Sequence, residues 1–365
     1  MKHCKNNPAP WGAYGGKSRV LRALAAALAA AVCLSLPCRA EPGISASHAI
    51  LMDADSGQVL YERSADAESL IASTTKIMTG LLVCEQCDLS EKLKIPAQAV
   101  GVEGSSMYLK QNEVLSVEEL LYGMLLQSGN DAAVALAVYC AGSVEQFVEQ
   151  MNRKAQQLGL EHTHFANPNG LDSEENYGTA RDLAELTRCA LKNEDFARIV
   201  ATKTATVAGR VLLANHNKLL WRYEGAIGVK TGYTRSAGRI LVSAAQRSGR
   251  TLIAVTINAP DDWNDHTALL DYGFSAYTCQ TLAQTGRPVC TVPVLADTAK
   301  EATLIAQEDF SYWVLPQEQV SYRYAANAPI FAPLEKGAQA GTVTVLLDGR
   351  PIGTVPVCWG QTVLS

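Results

Sequence analysis

The stretch LLYGMLLQSGNDAAVALAVYCAG, Leu120 to Gly142, is apolar and helix-prone except at Ser128-Gly129-Asn130, where it breaks abruptly. Turn-forming residues inside such a run predict helix, short break, helix. Ser116 and Glu119 stand ahead of it as a capping box. Upstream, two apolar runs flank Asp55-Ser56-Gly57 and read as a β-hairpin. STTKIMTGLLVCE, VEQFVEQMNRKAQQLG and TARDLAELTRCALKN read as helices, the last capped by Thr179. The period then changes: AIGVKTGYT, GRILVSAAQ and TLIAVTINA are strand-like, and DHTALLDYGFSAY returns to helix. Residues 44–280 therefore predict an α+β domain, a sheet covered by helices in which sequence-distant strands meet. Beyond about residue 282 only short alternating runs and turn residues remain, including Asp348-Gly349, which predicts a small all-β domain over 282–365.

With 365 residues, 48% of them hydrophobic, the chain can build one large core or two domains, and no run of 18 uncharged apolar residues suggests a spanning helix. The first 40 residues differ from the rest. Basic residues precede ALAAALAAAVCLSL, and PCRA follows, the pattern of a signal peptide cleaved after Ala40. Removing the six basic residues of 1–40 from 31 leaves 25 against 36 acidic ones, a net charge of −11. So acidic a surface argues against a nucleic-acid partner. Seven cysteines remain, scattered unlike a disulfide framework, and Cys84 and Cys87 read as small buried hydrophobes near a helix end. No spacing suggests a metal site.

Three polar motifs, each occurring once, stand out against this background. Ser73 and Lys76, in Ser-Thr-Thr-Lys, fall on one face at the start of a helix. An amine beside a hydroxyl can take its proton if burial or a second cation lowers its pKa; a capping serine and a surface lysine would look the same. Ser128 and Asn130 could point a hydroxyl and an amide into a cleft, or merely form an interhelical turn. Lys230-Thr231-Gly232 ends a strand, where a charge, a hydroxyl and an open backbone suit a carboxylate, or where the chain simply turns.

Taken in order, the three resemble the set shared by penicillin-binding proteins and class A β-lactamases. ASTTKIMT, GSSMYLKQNEVLSVEELLYGMLLQSGNDAAVALA, TARDLAEL and GVKTGYTRSAGRILVSAAQRSGRTLIAV resemble more closely the D-alanyl-D-alanine carboxypeptidases of peptidase family S11, over residues 44–280, and the β-rich tail resembles that family's second domain. The resemblance implies a catalytic domain over 41–281 and a serine peptidase needing no metal or organic cofactor. In it Ser73 attacks the penultimate D-Ala of a peptidoglycan stem peptide, Lys76 is the base, Ser128 relays the proton and Asn130 positions Lys76 and the substrate. Backbone N–H groups of Ser73 and Tyr233 form the oxyanion hole, and Lys230, Thr231 and Arg250 face the terminal carboxylate beside Gly232. It also implies β-lactams as acylating inhibitors. The Glu-x-x-Leu-Asn string of class A β-lactamases is absent, so penicillin should stay bound; a transpeptidase or endopeptidase would use the same residues. Asn169 and Asn176 stand where the family often has His, and NPNGLD is expected to be structural. No amphipathic C-terminal helix of the family's kind is evident, which predicts an exported enzyme that is soluble or held by a partner.

Overall fold

Paired apolar runs around Asp55-Ser56-Gly57 form the expected hairpin, β1 (His48–Asp53) and β2 (Val59–Arg63). Asp53 pins the turn, its carboxylate accepting from the Ser56 backbone N at 3.0 Å and hydroxyl at 2.8 Å. The computed structural model describes residues 41–207, 212–325 and 329–364, so the predicted leader lies outside the described residues. They form two compact units divided between Tyr277 and Thr278, four residues before the change of pattern placed the boundary.

In the first unit, β3 (Ala226–Thr234), β4 (Gly238–Arg247) and β5 (Arg250–Ile257) join the hairpin in one antiparallel sheet of order β2-β1-β5-β4-β3. The sheet therefore unites the first strand of the unit with strands 170 and more residues later. Its helices are α1 (Lys76–Gln86), α2 (Val117–Gln127), α3 (Asn130–Ala141), α4 (Val144–Gln157), α5 (Ala180–Ala190), α6 (Glu194–Ala201) and α7 (Asp262–Ala276). Strand side chains alternate between two buried faces. Leu51 and Leu252 lie against Gly273 of α7, whereas Ile50, Met52, Ile253 and Val255 join the large core with Leu183 and Leu186 of α5 and the apolar residues of α1 to α4.

The capping box is present: Ser116 Oγ accepts from Glu119 N, and the Glu119 carboxylate accepts from Ser116 N at 2.8 Å. Thr179 caps α5 through Asp182 N. α2 ends at Gln127 and α3 begins at Asn130, so the predicted break falls where the turn residues stand. The cysteine expectation is overturned in one respect. Cys87, just past α1, is disulfide-bonded to Cys140 near the end of α3, while Cys84, Cys189, Cys279, Cys290 and Cys358 are free. The pairing joins two helix ends 53 residues apart, a proximity made by packing rather than by local spacing.

The second unit is all-β. β6 (Thr278–Ala283) pairs with β9 (Phe310–Val314); β7 (Pro288–Pro293), β8 (Glu301–Ala306), β10 (Val320–Tyr324), β11 (Gln339–Leu347) and β12 (Arg350–Trp359) form an antiparallel sheet of order β7-β8-β12-β11-β10. Asp348-Gly349 turns β11 into β12 as expected.

Candidate active site

Ser73 lies in a single 3-10 turn, Ala72–Thr75, that leads into α1 and places Lys76 at the helix start. Ala72 has φ of 45°, a left-handed backbone that an alanine adopts only when its surroundings hold it there. Behind it runs the NPNGL turn, where Asn167 Oδ1 accepts from Gly170 N at 2.7 Å. Gly170 has φ of 82°, and a Cβ there would fall 2.0 Å from the Ala72 carbonyl oxygen. Glycine at 170 is thus what lets this loop back the Ser73 turn so closely.

The turn also does something its sequence does not announce. Lys76 is fully buried, and its Nζ donates to the backbone carbonyl of Asn169. The same nitrogen lies 2.7 Å from Asn130 Oδ1 and 3.1 Å from Ser73 Oγ. Two of these three partners, the carbonyl and the amide oxygen, can only accept. A neutral amine has two N–H groups and one lone pair, so with both hydrogens so engaged the lone pair faces the Ser73 hydroxyl. Burial is the main cause that pushes the Lys76 amine well below its ordinary pKa; the charge of Lys230 adds to it, and Asp131 opposes. The amide of Asn130 is oriented by its other end, with Nδ2 donating to Glu103 O at 2.6 Å. Asn176, also buried, donates to Thr75 Oγ1 at 3.1 Å and supports the same turn.

Ser128 stands at the end of α2 with φ of 65°, a second left-handed residue without a glycine's freedom. This conformation turns its hydroxyl to Lys230 Nζ, 3.1 Å away, which donates to it and also to the Thr231 carbonyl at 2.8 Å. Lys230 is buried on β3, and desolvation lowers its amine to about 7. Asp131, unremarked in the sequence, stitches the facing loop in place. Its carboxylate accepts from Ser106 Oγ and from the backbone N of Met107, Leu109 and Ala132, at 2.7 to 3.1 Å.

β3 runs along the other wall. A Cβ at Gly232 would sit 3.3 Å from the backbone N of both Ser73 and Thr74, so the strand lies against the Ser73 turn. A cavity of about 540 Å³ opens here, lined by Ser73, Ser128, Thr231, Gly232 and Tyr233 together with His216, Lys218, Arg239, Asp262 and Trp263. Of the residues singled out in the sequence, Ser73, Lys76, Ser128, Asn130, Lys230, Thr231, Gly232 and Tyr233 thus converge.

Arg250 does not. It is buried at the start of β5, its Nε 2.9 Å from Asp53 Oδ2 and its Nη1 donating to Gly273 O at 2.8 Å. Cross-strand register puts Thr231 beside Leu241 and Leu241 beside Thr256. Arg250 is six residues further along the strand, about 20 Å at strand rise. It ties the first hairpin to α7. The arginine that lines the cleft is Arg239, directly opposite Tyr233 across the β3–β4 ladder. A tight turn between the two strands fixes that register, so the hairpin pattern was the available signal.

Comparison with known proteins agrees with this geometry. Residues 37–261 match the D-alanyl-D-alanine carboxypeptidase family, Peptidase S11, and residues 277–364 match the penicillin-binding protein 5 C-terminal domain. The chain belongs to the D-alanyl-D-alanine carboxypeptidase family. It is 35% identical over 327 residues to D-alanyl-D-alanine carboxypeptidase DacF of Bacillus subtilis, covering 86% of this chain and 84% of that one. It is likewise 35% identical over 336 residues to DacC of Escherichia coli, covering 87% and 84%. Among solved structures it superposes on penicillin-binding protein 5 of Haemophilus influenzae with a TM-score of 0.71 and 31% identity, covering 89% of this chain and 99% of that one. For DacD of Francisella tularensis the TM-score is 0.76 at 27% identity, covering 89% and 95%.

Proposed function

We propose that this protein removes the terminal D-Ala from peptidoglycan stem peptides through an acyl-enzyme on Ser73. The observation that carries the reading is the buried Lys76 amine, its pKa lowered chiefly by desolvation, held by Asn130 Oδ1 and the Asn169 carbonyl, two groups that only accept, and 3.1 Å from Ser73 Oγ. Lys76 withdraws the Ser73 proton as Oγ adds to the penultimate D-Ala carbonyl. The backbone N–H groups of Ser73 and Tyr233 receive the developing oxyanion. Ser128, bonded to Lys230, passes a proton to the departing D-Ala nitrogen, and water then releases the shortened peptide. Lys230, Thr231 and Arg239 face the terminal carboxylate; Arg239 takes the part first given to Arg250 because it lines the cleft. A β-lactam carries an acyl group and a carboxylate in the same relation, so it acylates Ser73 and remains. The basic-then-apolar leader supports work outside the cytoplasm.

Mass spectrometry tests this. Incubation with a peptide ending in D-Ala-D-Ala is expected to release one D-Ala, and incubation with penicillin to leave a penicilloyl adduct on Ser73, both abolished in Ser73→Ala. D-Ala release that survives the substitution would overturn the mechanism.

A further inference from the structure

Two cations, Lys218 and Arg239, and one carboxylate, Asp262, line the cavity beside Ser73. Arg239 Nη2 donates to Asp262, at 2.8 and 2.9 Å from its two oxygens, and both residues line the cavity. The Asp262 carboxylate is buried, and its pKa is raised by desolvation and held back by Arg239. Trp263, next in the chain, has two cations at its ring: the Arg239 guanidinium and the Lys218 ammonium are each 5.9 Å from its centroid. Cation–π attraction thereby fixes Lys218 over the ring. No described acid lies within ion-pair distance of Lys218. All three residues, with His216, line the same cavity as Ser73 and Ser128. With Asp262 paired to Arg239, Lys218 leaves one surplus positive charge among these residues, in a chain whose residues after position 40 sum to −11. The cavity volume of about 540 Å³ also exceeds what an alanine methyl occupies.

We propose that the leaving-group side of this cleft accepts a D-residue carrying a second carboxylate on its side chain, with Lys218 as the second anion's partner. This rests on the proposed Ser73 reaction and adds the leaving residue to it. The bond broken is still the amide after D-Ala, and its nitrogen still takes the proton passed by Ser128. The α-carboxylate pairs with Thr231 and Arg239; the side-chain carboxylate reaches across Trp263. The dimensions agree. Both cations lie within about 12 Å of one another through the shared ring. The two carboxylates of an extended glutamate are about 5 Å apart, and each takes a cation about 3–4 Å away.

The test compares kcat/KM on matched N-acetylated peptides ending in D-Ala-D-Glu and D-Ala-D-Gln, which differ in charge and hardly in shape. A second pair joins D-Ala to the D-centre of a diaminodicarboxylic acid with its far carboxyl free or amidated, and so tells a short second acid from a long one. At low salt the acid is expected to exceed its amide about fivefold in at least one pair, as an exposed ion pair allows. Lys218→Met should bring that ratio to about one and Lys218→Arg should keep it. A variant that folds poorly slows both members of a pair and leaves the ratio intact. No preference in either pair, or a preference that Lys218→Met leaves unchanged, overturns the proposal. Failure of the Ser73 reading would show separately, as no D-Ala released from D-Ala-D-Ala.

Discussion

Lys76 and Lys230 are both buried lysines, yet the proposed reaction needs them in opposite states. Lys76 must be neutral to take the Ser73 proton, whereas Lys230 must be charged to face a carboxylate. Burial lowers both, and Lys230 to about 7. Activity therefore rises with pH as Lys76 loses its proton and falls above about 7 as Lys230 loses its own. The falling limb belongs to recognition of the substrate's charge. A peptide ending in D-Ala-D-Ala should show the decline in kcat/KM above about pH 7, and its C-terminal methyl ester should not. A shared decline in stopped-flow or D-Ala-release assays would remove Lys230 from the carboxylate's partners. Residues of this kind were legible because the proposed chemistry needs particular side chains and their types are few. The Asn169 contribution was not, since a backbone carbonyl leaves no trace in residue identity. Arg250 misled for a different reason: it stands near the right strand in the linear order but at the wrong end of the ladder.

Helices and strands were read well where local chemistry decides them. The Ser116 capping box, the break at Ser128-Gly129-Asn130 and the hairpin turns at Asp55-Ser56-Gly57 and Asp348-Gly349 each satisfy backbone groups within a few residues. β6 and β9 escaped notice, being short strands that pair only with each other across about 30 residues. The Cys87–Cys140 bridge escaped for the same reason at greater range. It closes a loop of 53 residues that contains α2 and most of α3. Loop-closure entropy gives such a cross-link about 4 kcal/mol. Reduction, or the Cys87→Ser and Cys140→Ser pair, should lower the thermal midpoint by several degrees. A midpoint unmoved by reductant, with both thiols then open to alkylation, would show that the bridge adds nothing to stability.

At the scale of the whole molecule, the sheet and α7 are joined by a buried polar contact. His266 is fully buried, 2.5 Å from Ser243 Oγ on β4 and 2.9 Å from Thr256 Oγ1 on β5. Desolvation holds the imidazole down at about 3. The unfolded chain binds this proton from about pH 6.5 and the folded one only near 3, so the contribution to stability is complete above 6.5 and lost as pH falls through that window. The slope approaches 1.4 kcal/mol per pH unit within it. Urea melts at pH 7 and pH 4.5 should differ by more in the wild type than in His266→Gln; equal differences would place the acid sensitivity elsewhere.

Ser73 and Lys76 are neighbours in sequence, but what makes the pair reactive comes from far along the chain. Asn130 and Asn169 take the amine's hydrogens, and Lys230 arrives only with β3. A chain that has been synthesised or folded only as far as α1 holds an ordinary protonated lysine beside an ordinary alcohol. Under the proposed mechanism, chemical competence is therefore a late event that waits for closure of the sheet, and a partly folded copy should not cut its surroundings. The proposed acylation of Ser73 would in that sense be a stopwatch for completion of the fold.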